Sequence, residues 1–325
     1  MAYVNVYDPP VDALTGLLDG PRARGAFVVR SILAPPWSLR IADETPLTLM
    51  ACVRGDAWVL PEDGVEIPVP EGAVAIIVGP EHYTVCDDPD TRVRVVIHPG
   101  QRCTTPSGEP LGDVMALGTR TWGDSPDGAS VLLTGTYRAD REVSRRVLGA
   151  LPRVLVLEAG EWDDPLLGVL EHEVGRDDPG QEAVLDRLLD LLLIAVLRAW
   201  FARPEAEAPA WYRAQADPVV GRALRAMHDD PAHPWTVAEL AAEAGISRAA
   251  LARRFGELVG EPPMTYLTGW RLSLAADLLR EPGATLASVA GAVGYGSPFA
   301  LSAAFTRVRG ISPREHRLAA AGAAG

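Results

Sequence analysis

Lysine is absent from this chain, so all 30 of its basic side chains are arginines. Acidic residues outnumber them at 43, and the net charge at pH 7 is −13. A surface this acidic excludes a protein that coats nucleic acid loosely through bulk positive charge. If the chain binds nucleic acid, binding should depend on a few well-placed arginines.

Cysteine is scarce and long apolar runs are missing. The three cysteines are Cys52, Cys86 and Cys103. Their odd number and wide spacing predict a reducing compartment rather than a disulfide framework or a zinc site. The N-terminus lacks a basic segment followed by an apolar one, so we expect no secretory signal. The longest apolar run, 191–202, contains Arg198 and is too short to span a bilayer. We therefore expect a cytoplasmic protein without a membrane segment.

The charge is distributed unevenly along the chain. Residues 1–217 hold 19 Arg and 34 Asp or Glu, a net charge of −15, whereas residues 218–325 hold 11 Arg and 9 Asp or Glu, a net charge of +2. The length allows two or three domains. We predict an acidic domain over 1–203, a Pro- and Glu-rich linker over 204–217, and a second domain over 218–325.

The second domain contains the same pattern twice, at Thr236–Pro263 and Thr285–Pro313. In each copy a threonine can cap a first helix, and a glycine follows where the chain leaves that helix. Ser247 and Ser297 can then cap a second helix. Each copy therefore predicts a helix-turn-helix.

Apolar residues recur at helical spacing in both second helices. They are expected to seat these helices on a shared core: Leu251, Phe255 and Leu258 in the first copy, and Leu301, Phe305 and Val308 in the second. The opposite face of each second helix would remain free to enter a major groove. A plain helical bundle is the alternative explanation of the same periodicity.

The stretch GYGSPFALSAAFTRVRGISPREHR resembles the C-terminal signature of the AraC/XylS transcription regulators, and the paired motifs are similar to their DNA-binding domain. The resemblance implies an all-α domain that binds double-stranded promoter DNA. The helix between the motifs would hold them about one turn of DNA apart.

Within this resemblance, Arg253 matches an arginine that the family uses at a base edge. Candidate base contacts are Arg248, Ala249, Arg253, Phe299 and Ser302. Candidate backbone contacts are Ser247, Arg254, Ser297, Arg307, Arg309 and Arg314. Ala303 departs from the family, which commonly has arginine there, and this weakens base reading by the second motif. A solvated surface charge is the alternative for each arginine.

The first domain predicts many short strands between Ala26 and Ile97, with a later segment, Ser130–Tyr137, as the last strand. This pattern predicts a β-sandwich or small barrel, and hence an α+β chain. The segments around MACVRGDAWV and LLTGTY resemble the cupin-type sensor domains often fused to such DNA-binding domains. The resemblance implies a small-molecule effector.

The candidate effector-pocket residues are Met50, Cys52, His82 and Thr134. Catalytic cupins present several histidines and a carboxylate to a metal ion, whereas here only His82 lies in a matching place. Met50 and Thr134 stand where some sensor relatives carry a histidine and a cysteine. We therefore predict no metal and no cofactor. Buried structural side chains are the alternative for Cys52, His82 and Cys86. An oxidation sensor at Cys86 or Cys103 is another.

The segment from Gln181 to Pro204 predicts a helix with a wide apolar face. It is expected to cover the barrel, and by resemblance it is a candidate homodimer contact, although a leucine stripe is also ordinary core. A second amphipathic helix is predicted within Val4–Leu18. Two rival functions remain open for the whole chain: a metal-dependent cupin enzyme with a helical appendage, and a scaffold that uses the helices for protein contacts.

Overall fold

The computed structural model describes residues 28–137, 148–149, 151–162, 165–203 and 208–322. The segments 28–137 and 151–203 belong to one compact unit, and 208–322 to another. The helix predicted within Val4–Leu18 lies outside the described residues. None of the described helices is long and apolar enough to cross a membrane.

Strands dominate the first unit. They are β1 (Val28–Leu33), β2 (Ser38–Ile41), β3 (Leu47–Arg54), β4 (Ala57–Pro61), β5 (Ile67–Val69), β6 (Val74–Val78), β7 (Tyr83–Cys86), β8 (Val95–His98), β9 (Arg102–Thr104), β10 (Ala116–Gly118), β11 (Thr121–Gly123), β12 (Ser130–Tyr137) and β13 (Val154–Leu157). The predicted strands between residues 26 and 98 are confirmed as β1–β8.

The strands form two sheets that face each other. One sheet has the order β10-β11-β1-β12-β3-β6-β13, and the other has the order β5-β4-β7-β2-β8-β9. All pairings are antiparallel except β1 with β11 and β2 with β8. The prediction that β12 is the last strand was wrong, because Val154–Leu157 pairs with β6 and extends the sheet by one strand. This four-residue segment is too short for its period to be distinguished from that of a loop.

Alternating side chains from both sheets make the core between them. Met50 and Cys52 point into this core, together with Leu39 and Val85 from the opposite sheet. Because successive residues of a strand point to opposite faces, Leu49 and Ala51 lie on the other face of β3, where they are also buried. Both faces of the central strand are covered, which explains why its sequence is apolar throughout.

The described residues of this unit include two α-helices, α1 (Leu166–Val174) and α2 (Gln181–Ala202). Helix α2 packs on the seven-stranded sheet, and the Tyr137 hydroxyl donates to the Leu189 carbonyl at 2.7 Å. A Cβ at Gly135 would lie 2.6 Å from a Leu189 methyl carbon, so glycine permits this close approach. The predicted helix from Gln181 is confirmed, and its leucines cover the sheet.

The second unit is helical. Its helices are α3 (Ala210–Ala214), α4 (Val220–Asp229), α5 (Val237–Glu243), α6 (Arg248–Val259), α7 (Pro263–Leu278), α8 (Leu286–Ala292), α9 (Pro298–Arg309) and α10 (Pro313–Gly322). Within the predicted linker 204–217, residues 208–217 are not a free connection. Trp211 and Ala214 are buried, and α3 packs against α6. Burial of the tryptophan draws this Pro- and Ala-rich segment onto the helical unit.

Helix α7 joins the two halves of the helical unit. Its Tyr266 contacts the Phe255 ring of α6 edge-on, with centroids 5.8 Å apart. Its C-terminal half packs with Leu301 and Phe305 of α9. The predicted core positions Leu258 and Val308 are exposed instead. Each lies in the last turn of its helix, beyond the neighbouring helices that cover the residues one turn earlier.

Candidate functional site

The first helix of each helix-turn-helix begins with a matching cap. The Thr236 hydroxyl accepts from the Glu239 amide at 3.1 Å, and the Glu239 carboxylate accepts from the Thr236 amide at 2.8 Å. In the second copy, Ser288 takes the place of the glutamate and forms the same reciprocal pair with Thr285. This capping box sets the start of each motif.

The turn and the second helix also match between the copies. Gly245 and Gly294 have φ values of +71° and +74°, a left-handed conformation that glycine adopts without strain. The hydroxyls of Ser247 and Ser297 then accept from the backbone amide three residues later, at 3.3 Å and 3.1 Å. Both serines therefore serve as helix caps, whatever further contact they make.

One face of α6 is buried and the other is open. Leu251 and Phe255 are fully buried, while Arg248, Ala249 and Arg253 are exposed. The Arg253 side chain is 72 % exposed and pairs with Glu257 one turn later at 3.1 Å. An exposed pair of this kind contributes little to stability, so Arg253 can leave Glu257 for another acceptor at small cost.

Arg254 differs from its neighbour because it is held within the helical unit. Its guanidinium binds the Asp217 carboxylate through Nε, at 3.0 Å and 3.2 Å to the two oxygens. The hydrogen bond from Arg254 and those from the Val219 and Val220 amides lower the pKa of Asp217 to about 2, against the opposing effect of burial. The structure therefore gives this candidate phosphate contact an intramolecular partner.

Helix α9 presents a different surface from α6. Phe299 is 84 % exposed in its first turn, Ser302 is half-buried, and Ala303 is exposed. Among the candidate backbone contacts, Arg307 and Arg314 are exposed. Arg309 lies over the Phe305 ring, 5.7 Å from its centroid. This motif therefore presents an aromatic ring at the position of Ala249, and Ala303 at the position of Arg253.

A cavity of about 120 Å³ lies between the two sheets of the first unit. Its wall is formed by Val29, Ser31, Leu39, Ile41, Asp43, Thr48, Met50, Tyr83, Val85, Ile97, Gln101, Cys103, Trp122, Leu132, Thr134 and Thr136. A buried water needs roughly 10–15 Å³ of such space, so the cavity has room for about ten waters or one small organic molecule. Its wall is mainly apolar, as is usual for ligand sites.

Two of the four predicted pocket residues line the cavity, namely Met50 and Thr134. Cys52 does not line the cavity, because it lies two residues beyond Met50 on β3. Its thiol donates to the Gly55 carbonyl at 2.9 Å. His82 does not line it either. It precedes β7, and its backbone carbonyl accepts from Arg153. Both residues therefore lie outside this cavity, because strand period alone does not show where a cavity ends.

The cysteine thiols are held in their neutral form. Burial, with nearby carboxylates adding to it, raises the pKa of Cys52 and of Cys86 to about 12. Burial also raises the pKa of Cys103, which lines the cavity. Among the described residues, no three His, Cys, Asp or Glu side chains converge as metal ligands would.

Several polar residues of the cavity were missed from the sequence, among them Asp43, Gln101 and Trp122. Asp43 and Gln101 lie between strands, and the Gln101 side-chain amide nitrogen is 3.4 Å from an Asp43 carboxylate oxygen. Trp122 lies in a three-residue strand, and its indole nitrogen is buried without a hydrogen-bond partner among the described residues. Alternation in such short segments carries no signal, and only the tryptophan itself, a residue that usually packs inward, hinted at this position.

Comparison with known proteins finds a matching family model for each of the two units. Residues 12–202 match a family model described as a cupin, and residues 240–319 match one described as a helix-turn-helix domain. A putative AraC-like transcription regulator of Streptomyces antibioticus is 33% identical over 320 residues, covering 95% of this chain and 98% of that protein. The transcriptional regulator AlkR of Acinetobacter baylyi is 26% identical over 94% of this chain and 99% of its own. A crystal structure of the DNA-binding domain of AdpA with a target DNA is 35% identical, covers 32% of this chain and 93% of that chain, and has a TM-score of 0.30.

Proposed function

Because the chain belongs to the AraC-like transcription regulators, with a helix-turn-helix DNA-binding domain, we propose that it reads a specific promoter sequence through both motifs under the control of a small molecule bound in the cavity. Its relatives are regulators rather than enzymes, so the rival reading as a metal-dependent cupin enzyme is set aside.

The main support for sequence-specific DNA binding is that two helix-turn-helix motifs of the same construction pack on one helix, α7. Tyr266 and Leu267 of α7 are buried with the first motif, and Leu272 and Ala276 with the second. No helix of the described part of their unit, 208–322, covers the outward faces of α6 and α9. Two groove-reading helices on one body should contact two successive major-groove segments on the same side of the duplex.

The two motifs should differ in what they read. Arg253 can donate two hydrogen bonds to guanine O6 and N7, a contact worth about 1–3 kcal/mol of discrimination. Phe299 has no hydrogen-bonding group, so it would read the apolar methyl group of thymine. Arg248, Ala249 and Ser302 flank these two positions on the proposed DNA-binding faces.

The remaining candidates would position the protein on the phosphate backbone. They are Ser247, Arg254, Ser297, Arg307, Arg309 and Arg314. Such contacts fix register and carry no base information. Arg254 would first have to give up Asp217, so its contribution should be smaller than those of Arg307 and Arg314.

Selection of bound sequences from a random duplex pool with the full chain tests this function. We expect a bipartite site whose halves are about one helical turn apart, roughly 10 bp, with a preferred guanine in one half only. Recovery of a single short element would contradict two-motif reading. Absence of any enriched sequence at low salt would favour the rival function as a protein scaffold.

The effector part of the proposal depends on the cavity. A ligand that binds one arrangement of the chain better than another would shift the population able to bind DNA. Such couplings commonly change affinity about 5–150-fold. Measuring the affinity for the selected site with and without a cavity ligand tests this part. A ligand that occupies the cavity and leaves DNA affinity unchanged would contradict it.

We also propose that α2 joins two copies of the chain. Val184 and Leu191 are 45 % and 49 % exposed, and seven residues apart they share one face of the helix. Arg198, seven residues after Leu191, is exposed on the same face. A second copy of the helix packed on this face would cover both apolar side chains.

Sedimentation of a Val184→Glu, Leu191→Glu variant tests the dimer. We expect the wild type to sediment as a dimer and the variant as a monomer, because four buried carboxylates would oppose association. Val65→Glu, at an equally exposed valine between β4 and β5, is the matched control and should remain dimeric. A wild-type monomer at high concentration would refute this contact.

A further inference from the structure

The cavity between the sheets has two chemically different ends. Thr48 lies opposite Thr136 in one sheet, and both line the cavity together with Tyr83 of the facing sheet. Tyr83 pairs with Ile41, and Asp43 follows two residues later. The polar side chains therefore gather at the end where β2 finishes and β3 begins.

The other end of the cavity is mainly apolar. Leu39 lies opposite Val85 in one sheet, and Leu132 lines the facing wall. Trp122 stands beside Ser31, which in turn pairs with Leu132. The buried indole N–H has no hydrogen-bond partner among the described residues, and Trp122 lines the cavity.

The charge on the cavity wall is negative. Of the described residues that line the cavity, Asp43 alone has a carboxyl group, and none is an arginine or a histidine. One Asp43 oxygen accepts from the Thr45 amide at 3.1 Å. Among the described residues, the other accepts only from the Gln101 amide at 3.4 Å, which is a long and weak hydrogen bond. This second oxygen has capacity for a stronger donor.

From these observations we propose that the cavity binds a small apolar amine, with its ammonium group on Asp43 and its apolar body toward Leu39, Val85 and Leu132. The inference rests on the proposed role of this unit as an effector sensor. An ammonium group would give Asp43 a charged donor, and such hydrogen bonds are about twice as strong as neutral ones. An organic acid would instead place a second carboxylate beside Asp43, with no cation in the wall to offset it.

Calorimetric titration of the full chain with three probes of one chain length tests this ligand class. The probes are hexylamine, 1-hexanol and hexanoate at neutral pH, where an alkylamine is protonated. We expect hexylamine to bind about tenfold or more tightly than hexanol, and hexanoate to bind most weakly. This comparison uses only the wild-type chain, so it does not depend on the folding of any variant.

The Asp43→Asn variant then tests whether the Asp43 carboxylate causes the preference for the amine. Asparagine keeps an oxygen for the Thr45 amide but removes the charge, so we expect the advantage of hexylamine over hexanol to disappear. Asp127→Asn makes the same charge change at an exposed site outside the cavity wall and should leave the advantage intact.

The outcomes separate this inference from the proposed function. Equal or tighter binding of hexanoate, or no binding by any probe, overturns the amine assignment. Either result leaves DNA selection by the same protein unaffected. Failure of the chain to select any DNA would count against the regulator proposal, while hexylamine binding would still support the cavity assignment.

Discussion

Arg254, on the second helix of the first motif, forms an ion pair with Asp217, a residue 37 positions earlier in the chain. Besides the contacts to Arg254, one Asp217 oxygen accepts from the Val219 and Val220 amides at 3.0 Å and 2.9 Å. A single carboxylate therefore fixes the start of α4 and the orientation of an arginine on α6.

This contact predicts how acid destabilises the helical unit. The pKa of Asp217 is about 2 in the folded chain, below its ordinary value of 3.8. A lowered pKa contributes stability that is complete above pH 4 and is lost as the pH falls toward 2. We expect Asp217→Asn to weaken this acid dependence in chemical unfolding followed by circular dichroism.

Asp217→Ala is the companion variant for that measurement. It removes the acceptor for the two backbone amides as well as the charge, and should cost about 1 kcal/mol more than asparagine at pH 7. If both variants retain the acid dependence of the wild type, the ion pair does not contribute to it.

Arg253→Ala should lower affinity for the selected DNA site about tenfold or more, since a bidentate guanine contact is worth about 1–3 kcal/mol. Weak binding to unrelated DNA should change little, and the preference for guanine at one position should relax. Arg213→Ala, an exposed arginine on α3, removes the same charge outside both second helices and serves as the control. An unchanged preference for guanine in Arg253→Ala would exclude this residue as the base reader.

The matched turn glycines should respond differently to alanine. A Cβ at Gly245 meets nothing within 4 Å, so Gly245→Ala carries only the left-handed strain of about 1–2 kcal/mol. A Cβ at Gly294 would lie 2.5 Å from the Ala232 carbonyl oxygen, in a loop that Arg271 binds through the carbonyls of Pro231 and His233. Gly294→Ala should therefore cost roughly 1–3 kcal/mol more.

Chemical unfolding of both variants measures this difference. Gly256→Ala, inside α6 with open space around it, is the control and should raise stability by about 0.5–1 kcal/mol. Equal losses of stability in the two variants would mean that the loop around Ala232 moves aside without a cost in free energy.

The cysteines should be slow to react with a thiol reagent at pH 8. Cys52 and Cys86 are fully buried with pKa values of about 12, so the reactive thiolate is scarce and inaccessible. Cys103 is half-buried and should react first, and all three should react after unfolding. Oxidant-dependent DNA binding that Cys103→Ser abolishes would support the oxidation-sensor hypothesis instead.

Local signals in the sequence predicted the helix-turn-helix accurately. The caps at Thr236 and Ser247 and the left-handed glycine between them depend on contacts within a few residues, so their pattern is visible in the chain itself. Leu258 was predicted to be buried because it fits the same period. Periodicity reports which face a residue occupies but not whether a neighbouring helix extends far enough to cover it.

The candidate cavity was only half predictable. Met50 and Thr134 lie on paired strands, at a level that the resemblance to sensor domains had suggested. Asp43 and Gln101 come from loops 58 residues apart, and nothing in their local sequence shows that they meet. Arg254 presents the same difficulty, because its partner lay in a segment that was predicted to be a linker.

The sequence alone determined that this chain has a β-rich first domain and a second domain with two copies of one DNA-binding motif, because those patterns repeat at the short range over which caps, turns and strand alternation act. Only the tertiary structure decided which side chains enclose the cavity and which arginine is held within the protein. Those arrangements depend on residues brought together by packing of the whole unit, across separations that no local pattern records.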